Sequence, residues 1–333
     1  MRILHVAHQQ LRKYGYTRVS WAQKLYYGLI KNHHNVQTFS DRDVAAFEAP
    51  LGIRELGKKK SNQRLLQTIE SFKPELIIVG HCDIITNETL NKIRTIDPNI
   101  VIVGCNNDPL FVPENTQKIK HRCDVVDAMF VSTGLPELIP FQGKRATLHH
   151  MPNPVDPAIE TFDSSQKSDF KYDLIFCSKE TSYTQRGELV INVKSTLPDE
   201  FVFNTPGSFG QPGVWGLDYD LALSNSKMGL NLNRQEGDYW YSSARMAQLA
   251  GNGLLTFTHA SNRFDRLMPK ETLVYFSDAD ELSQKINQFY QDDDMRKTWA
   301  ANTRAFFHEQ LNSTLYAQYI VCLLYTSPSP RDS

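Results

Sequence analysis

The residues best placed to do chemistry lie in one stretch, 228–253. An apolar run at 228–233 predicts a strand that delivers Asn233 and Arg234 to its carboxyl end. After a loop, Ser242 or Ser243 caps a helix that Gly251 or Gly253 ends. Arg245 and Gln248 are three apart, so they share one face of this helix near its positive end. First-turn N–H groups have no partner within a helix, and with Arg245 beside them they suit a phosphate. Gln248 suits a sugar or ribose hydroxyl. The same residues also fit an ordinary capped amphipathic helix with an exposed arginine.

These side chains need a frame to position them. In the first half, strands are expected at 2–7, 36–39, 75–80, 100–105 and 128–132. The runs Leu76-Ile77-Ile78-Val79 and Ile100-Val101-Ile102-Val103 are continuously apolar, as strands buried on both faces of a parallel sheet are. Helical patterns at 19–31 and 63–72 lie between them; Trp21, Leu25 and Leu29 recur every four residues, with Val19 extending the face. Pro152, Pro154 and Pro157 then interrupt the alternation, and 152–170 reads as an interdomain connection. The pattern restarts with strands at 172–177, 201–204, 228–233, 254–257 and 273–276, and helices at 186–195 and 243–251. Ser277-Asp278-Ala279-Asp280 matches a capping box, opening a helix with Leu282, Ile286, Phe289 and Tyr290 on one face. Asp292-Asp293-Asp294 reads as a solvated turn, and Gly207, Gly210, Gly213 and Gly216 as a surface loop. The expectation is an α/β chain of two Rossmann-like, doubly wound domains, 1–155 and 156–321. They would face a central cleft between the carboxyl ends of their strands.

Composition narrows the function classes. The 333 residues carry 36 Lys+Arg against 37 Asp+Glu, a net charge of −1, which is no footprint for nucleic acid. No apolar run reaches the ~18–20 residues of a membrane span, and the first residues lack the apolar core of a signal peptide. Five cysteines without paired spacing fit a reduced, cytoplasmic protein. The segment 322–333 back-translates, through Asp332, to a common transposase-adapter sequence. It is read as an adapter-derived artefact tail, leaving 1–321 with four cysteines and a clipped natural C-terminus.

The stretch 228–310 resembles the C-terminal domain of GT-B-fold glycosyltransferases of the group 1 type, in the spore-maturation-protein-like branch. Those read strand, loop, Arg-hydrophobe-x-Glu-x-x-Ala-x-Gly, strand. This chain has Arg245-Met246-Ala247-Gln248-Leu249-Ala250-Gly251-Asn252-Gly253, then Leu273-Val274-Tyr275-Phe276-Ser277-Asp278. It departs at Gln248, where the family usually places a donor-contacting glutamate; glutamine both accepts and donates but carries no charge. The resemblance implies a metal-independent, hexosyltransferase-like glycosyltransferase of glycan biosynthesis. Its partners would be a nucleotide-sugar donor and a glycan, lipid or protein acceptor, with no cofactor, nucleic acid or membrane span. A sugar-nucleotide epimerase and a non-catalytic sugar-nucleotide-binding protein share the same donor pocket and stay open.

Sugar transfer expels a diphosphate, whose growing charge needs preorganised donors. Candidates are Arg186, Arg234, Arg245 and Lys227, with the backbone at Ser243, and Gln248 on a donor hydroxyl. A base for the acceptor would come from the first domain. Asp108 and His8 rank above His81, all three following strands at the ligand-binding edge. A retaining mechanism needs no such base. Three Asp-x-Asp matches (41–43, 218–220 and 278–280) are chance-level, and no His or Cys spacing suits a metal, so none is expected. No Gly-x-Gly-x-x-Gly follows the first strand.

Overall fold

The computed structural model describes residues 1–11 and 19–326, and the chain divides into two compact units. The end of the adapter-like tail, 327–333, lies outside the described residues. Ser20–Pro152, with the N-terminal strand and the segment from Ser313, forms the first unit; Asn153–Asn312 lies in the second.

The first unit runs β1 (Arg2–Val6), α1 (Trp21–Lys31), β2 (Asn35–Phe39), α2 (Asp41–Phe47), α3 (Arg54–Phe72), β3 (Leu76–Val79), α4 (Asn87–Ile96), β4 (Val101–Asn106), α5 (Pro113–Arg122), β5 (Ala128–Val131), α6 (Leu135–Leu138) and β6 (Thr147–His150). Its strands pair in parallel in the order β2-β1-β3-β4-β5-β6. Successive side chains of a strand point to opposite faces. Leu4, Val6, Ile77 and Val79 accordingly enter one core, and Ile3, Leu76, Ile78 and Phe130 another. Ser20 caps α1 by accepting from the Gln23 amide, and Leu25 and Leu29 on its inner face are fully buried. Each such burial contributes about 1.5–3 kcal/mol. The chain leaves β1 in one direction to make β2 and in the other to make β3. That reversal opens a crevice at their carboxyl ends.

The second unit runs β7 (Tyr172–Ile175), α7 (Gln185–Thr196), β8 (Phe203–Asn204), α8 (Leu217–Ser224), β9 (Ser226–Asn231), α9 (Ala244–Gly251), β10 (Leu255–His259), β11 (Val274–Phe276), α10 (Ala279–Gln291) and α11 (Asp293–Gln310). Its parallel order, β11-β10-β9-β7-β8, reverses between β7 and β9.

Four features differ from the sequence reading. Residues 153–170, read as an interdomain connection, belong to the second unit, with Asp156, Glu160, Ser164 and Ser165 buried. The Asp156 amide donates to Glu160 Oε2 at 2.7 Å and the Ser164 amide to the Asn252 carbonyl at 2.9 Å. Asp292 is no turn residue; it caps α11 by accepting from the Met295 amide, and Asp293 pairs with Arg296 and Lys297. The cap of α10 is shifted one residue: Asp278 accepts from the Glu281 amide while Glu281 accepts from the Ser277 amide.

Finally, α12 (Ser313–Thr326) belongs to the first unit and not to the second, where 156–321 had placed it. Tyr316, Ala317 and Ile320 bury against Leu25 and Leu29 because Gly28 lets the two helices touch. A Cβ on Gly28 would sit 1.9 Å from the Ser313 carbonyl oxygen. Among the described residues, no helix is long and apolar enough to cross a membrane.

Candidate active site

In the second unit the switch point between β7 and β9 gathers two arginines. Arg186, on the first turn of α7, donates to the Leu232 carbonyl at 3.1 Å and to Ser178 Oγ at 3.1 Å, and pairs with Glu180. Arg245, on the first turn of α9, donates to the same Leu232 carbonyl at 2.8 Å and to the Cys177 carbonyl at 3.1 Å. Both guanidiniums lie over the Phe176 ring, 5.6 and 5.2 Å from its centroid. The strand ends thus supply a ring and carbonyls that aim two cations at one place.

Electrostatically the pair is under-compensated. Glu180 is the one carboxylate in ion-pair contact with either arginine among the described residues. Burial opposes the charged form of Glu180, but bonds from Thr184 and Arg186 outweigh it and hold its carboxyl below the usual range. Burial, and then the neighbouring Arg186, push Arg245 below the usual guanidinium range. Only one carboxylate is ion-paired with the two guanidiniums among the described residues, and the more distant Glu236, whose burial disfavours its charged form, interacts with Arg186; an anion would satisfy the charge left over. The glycine loop holds this arrangement: Ser208 Oγ donates to the Ser178 carbonyl at 2.8 Å and the Phe209 amide to the Glu180 carbonyl at 2.9 Å. Gly207 there has φ +80°, and a Cβ on it would lie 2.7 Å from the Ser178 carbonyl oxygen.

The other donor-side residues divide. Ser243 is the cap of α9, accepting from the Met246 amide at 3.3 Å and donating to Asn231 Oδ1 at 2.8 Å. Its hydroxyl is therefore used, and the first-turn amides are what α9 offers a ligand. Gln248 accepts from the Tyr219 hydroxyl at 3.0 Å, which fixes its carbonyl and leaves its amide hydrogens as the available donors. Arg234 is exposed on the loop after β9, with no side-chain partner among the described residues. Lys227 does not join the site. It lies at the amino end of β9, paired with Asp173 at 2.7 Å, because parallel strands put their two ends on opposite edges of the sheet.

The sequence reading missed Glu180 and Glu236. Glu236, in the loop after β9, accepts from the Asn233 amide at 2.8 Å and from Asn262 Nδ2 at 3.2 Å. Burial raises its carboxyl above the usual range. Neither glutamate belongs to a periodic pattern; the Glu180-x5-Arg186 spacing was the one available signal.

In the first unit the structure reorders the base candidates. His81, after β3, and Asp108, after β4, are joined by a 2.8 Å contact between Nδ1 and Oδ2. Asp108 is fixed in turn by its amide, which donates to Asn106 Oδ1 at 2.9 Å. The bond from His81 holds the Asp108 carboxyl below the usual range. The contact engages Nδ1 of His81, ranked third from sequence, and not its Nε2. His8, after β1, is not part of this pair: its Nε2 lies 3.8 Å from Asp43 Oδ2, and burial lowers its pKa. No three His, Cys, Asp or Glu side chains among the described residues come together as a metal site would require.

Comparison with known proteins agrees with this architecture. Residues 188–321 match the family described as "Glycosyl transferase-like". No curated protein matches the sequence. Sucrose-phosphate synthase from Thermosynechococcus elongatus is similar in structure, with a TM-score of 0.68 at 11% identity over 98% of each chain. HepE of Anabaena, solved in complex with UDP and glucose, gives 0.64 at 13% identity over 98% of this chain and 100% of that one. Trehalose-6-phosphate synthase OtsA gives 0.62 at 9% identity over 99% and 100%.

The fold is therefore that of the GT-B glycosyltransferases, two parallel-sheet α/β units. The glycosyl transferase-like match at 188–321 includes Arg245 and Gln248 and begins two residues after Arg186. Nothing in these matches singles out the spore-maturation branch.

Proposed function

We propose that the chain is a glycosyltransferase that takes its sugar from a nucleotide-sugar donor bound by the second unit, without a metal, and passes it to an acceptor hydroxyl held by the first. One observation carries the reading: Arg186 and Arg245 converge on the Leu232 carbonyl, and only Arg186 is ion-paired, with Glu180, among the described residues. That is a built site for a diphosphate. The first-turn amides of α9 add donors, exposed Arg234 lies at the rim, and the Gln248 amide donates to a hydroxyl of the donor. As the bond from the anomeric carbon to the diphosphate oxygen breaks, the arginines meet the charge that develops there. The UDP and glucose bound to HepE are consistent with a nucleotide sugar in this role.

On the acceptor side, His81 Nε2 takes the proton of the attacking hydroxyl while Asp108 fixes the ring and stabilises the imidazolium. Deprotonation by a positioned base fits direct displacement, with inversion at the anomeric carbon. The protein is soaked in cytoplasm-like reducing conditions for the test, with a panel of nucleotide sugars and sugar or lipid alcohols. Acceptor-dependent release of nucleoside diphosphate with formation of a glycoside supports the reading. Saturable binding with no release would favour a binding protein, and epimerised donor without release an epimerase.

A further inference from the structure

Beside His81, within the first unit, lies a cavity of about 360 Å³. That volume falls in the roughly 300–1,000 Å³ range of small-ligand sites. Gly80, Cys105 and Asn106 at the ends of β3 and β4 form one side of it, and the start of α4 and the last turns of α5 form the other. His81 is in its wall, so a molecule bound there is adjacent to the ring that the reaction needs.

The lining is cationic. Lys58 from α3, Lys118 and Arg122 from α5 and the His121 ring all border the cavity. Lys58 and Lys118 form no close ion pair among the described residues, although Glu88 interacts electrostatically with Lys58 and Asp108 with Lys118. Two acidic residues, Asp83 and Glu88, also line it, but Asp83 is held by Arg42 at 2.8 Å. Arg122 donates through Nη2 to the Ile85 carbonyl at 2.9 Å, while its Nη1 is buried with no partner among the described residues. Beside the acceptors at Glu88 and Asn87 Oδ1 stand the N–H donors of Lys58, Lys118 and Arg122. An anion would be matched by them.

We propose that this cavity is the acceptor subsite and that it selects an acceptor bearing a phosphate or carboxylate, clamped between Lys58 and Lys118. The proposal rests on the glycosyl-transfer reading above. The cations set the acceptor's orientation, and the hydroxyl to be glycosylated is the one that reaches His81. Apolar side chains of Val79, Ile85 and Met129 pack the uncharged remainder.

The test is equilibrium binding to the full chain, using glucose, glucose 6-phosphate, glucuronate and inorganic phosphate as probes. Each is titrated with and without saturating UDP, which keeps anions off the Arg186 and Arg245 site. The proposal expects at least one anionic sugar to bind tenfold or more tightly than glucose in the presence of UDP, less so as salt rises. Which one does so separates phosphate from carboxylate. A Lys58→Ala/Lys118→Ala variant, truncated at two exposed positions, should lose at least tenfold in that affinity and keep its affinity for UDP. Equal binding of neutral and anionic sugars, displacement of the anion by UDP, or an unaffected lysine variant would overturn it. Failure of UDP itself to bind would instead count against the donor reading, with the cavity still judged by the lysine variant.

Discussion

Arg186 and Arg245 donate to one carbonyl oxygen, that of Leu232, at 3.1 and 2.8 Å. They come from helices after different strands, so the switch point of the sheet is what unites them. Their supports differ: Arg186 is neutralised by Glu180 and Arg245 is not. This difference separates the two substitutions.

Arg186→Ala strands the buried Glu180 carboxylate and is expected to cost about 3 kcal/mol of stability. Arg245→Ala relieves repulsion with Arg186 and is expected to cost less. Chemical denaturation of both variants measures the contrast. Adding Glu180→Gln to Arg186→Ala should recover part of the loss, since the stranded charge is gone; no recovery would contradict the pairing argument.

Replacing His81 by Gln should lower kcat by about 100- to 10,000-fold, the usual contribution of a positioned base. Donor affinity should be unchanged, because the residue lies in the other unit. Asp108→Asn should act in the same direction and less severely. Steady-state kinetics with paired donor-binding measurements checks this.

His5 gives the fold a pH dependence. It is fully buried in β1, its ring edge-on to Trp21 and both ring nitrogens without partners, and burial lowers its pKa to about 4. The unfolded chain, with an ordinary histidine near 6.5, binds the proton more readily between these values. Stability contributed here is therefore full above pH 6.5 and is lost as pH falls toward 4, by about 3 kcal/mol. Thermal unfolding across this window should show the decline, and His5→Leu should flatten it.

Gly28→Ala should destabilise the first unit, because the added methyl meets the Ser313 carbonyl oxygen at 1.9 Å. Forcing α12 away from α1 costs on the order of 1–3 kcal/mol. Differential scanning calorimetry is the check.

The sheets were legible because their central strands are continuous apolar runs: Leu76–Val79 is buried at every position. The edge strand Thr147–His150 was not, since its polar, half-buried residues carry no such signal. Arg186 and Arg245 could be found from their places after strands. Their partners could not: Glu180 and Ser178 lie in an aperiodic loop, and His81 and Asp108 are 27 positions apart, so only the sheet order brings that pair together. The return of α12 was hidden for a similar reason, its match to α1 being a matter of one glycine.

The central claim is that the arginine pair recognises a diphosphate. It is tested most directly by measuring the affinity of the full chain for UDP, UMP and uridine, and repeating the series with Arg245→Ala. The account predicts that UDP binds at least tenfold more tightly than UMP or uridine, and that the variant loses about 10- to 100-fold for UDP while uridine changes little. Equal affinity for all three, or a variant that binds UDP as the parent does, would contradict it.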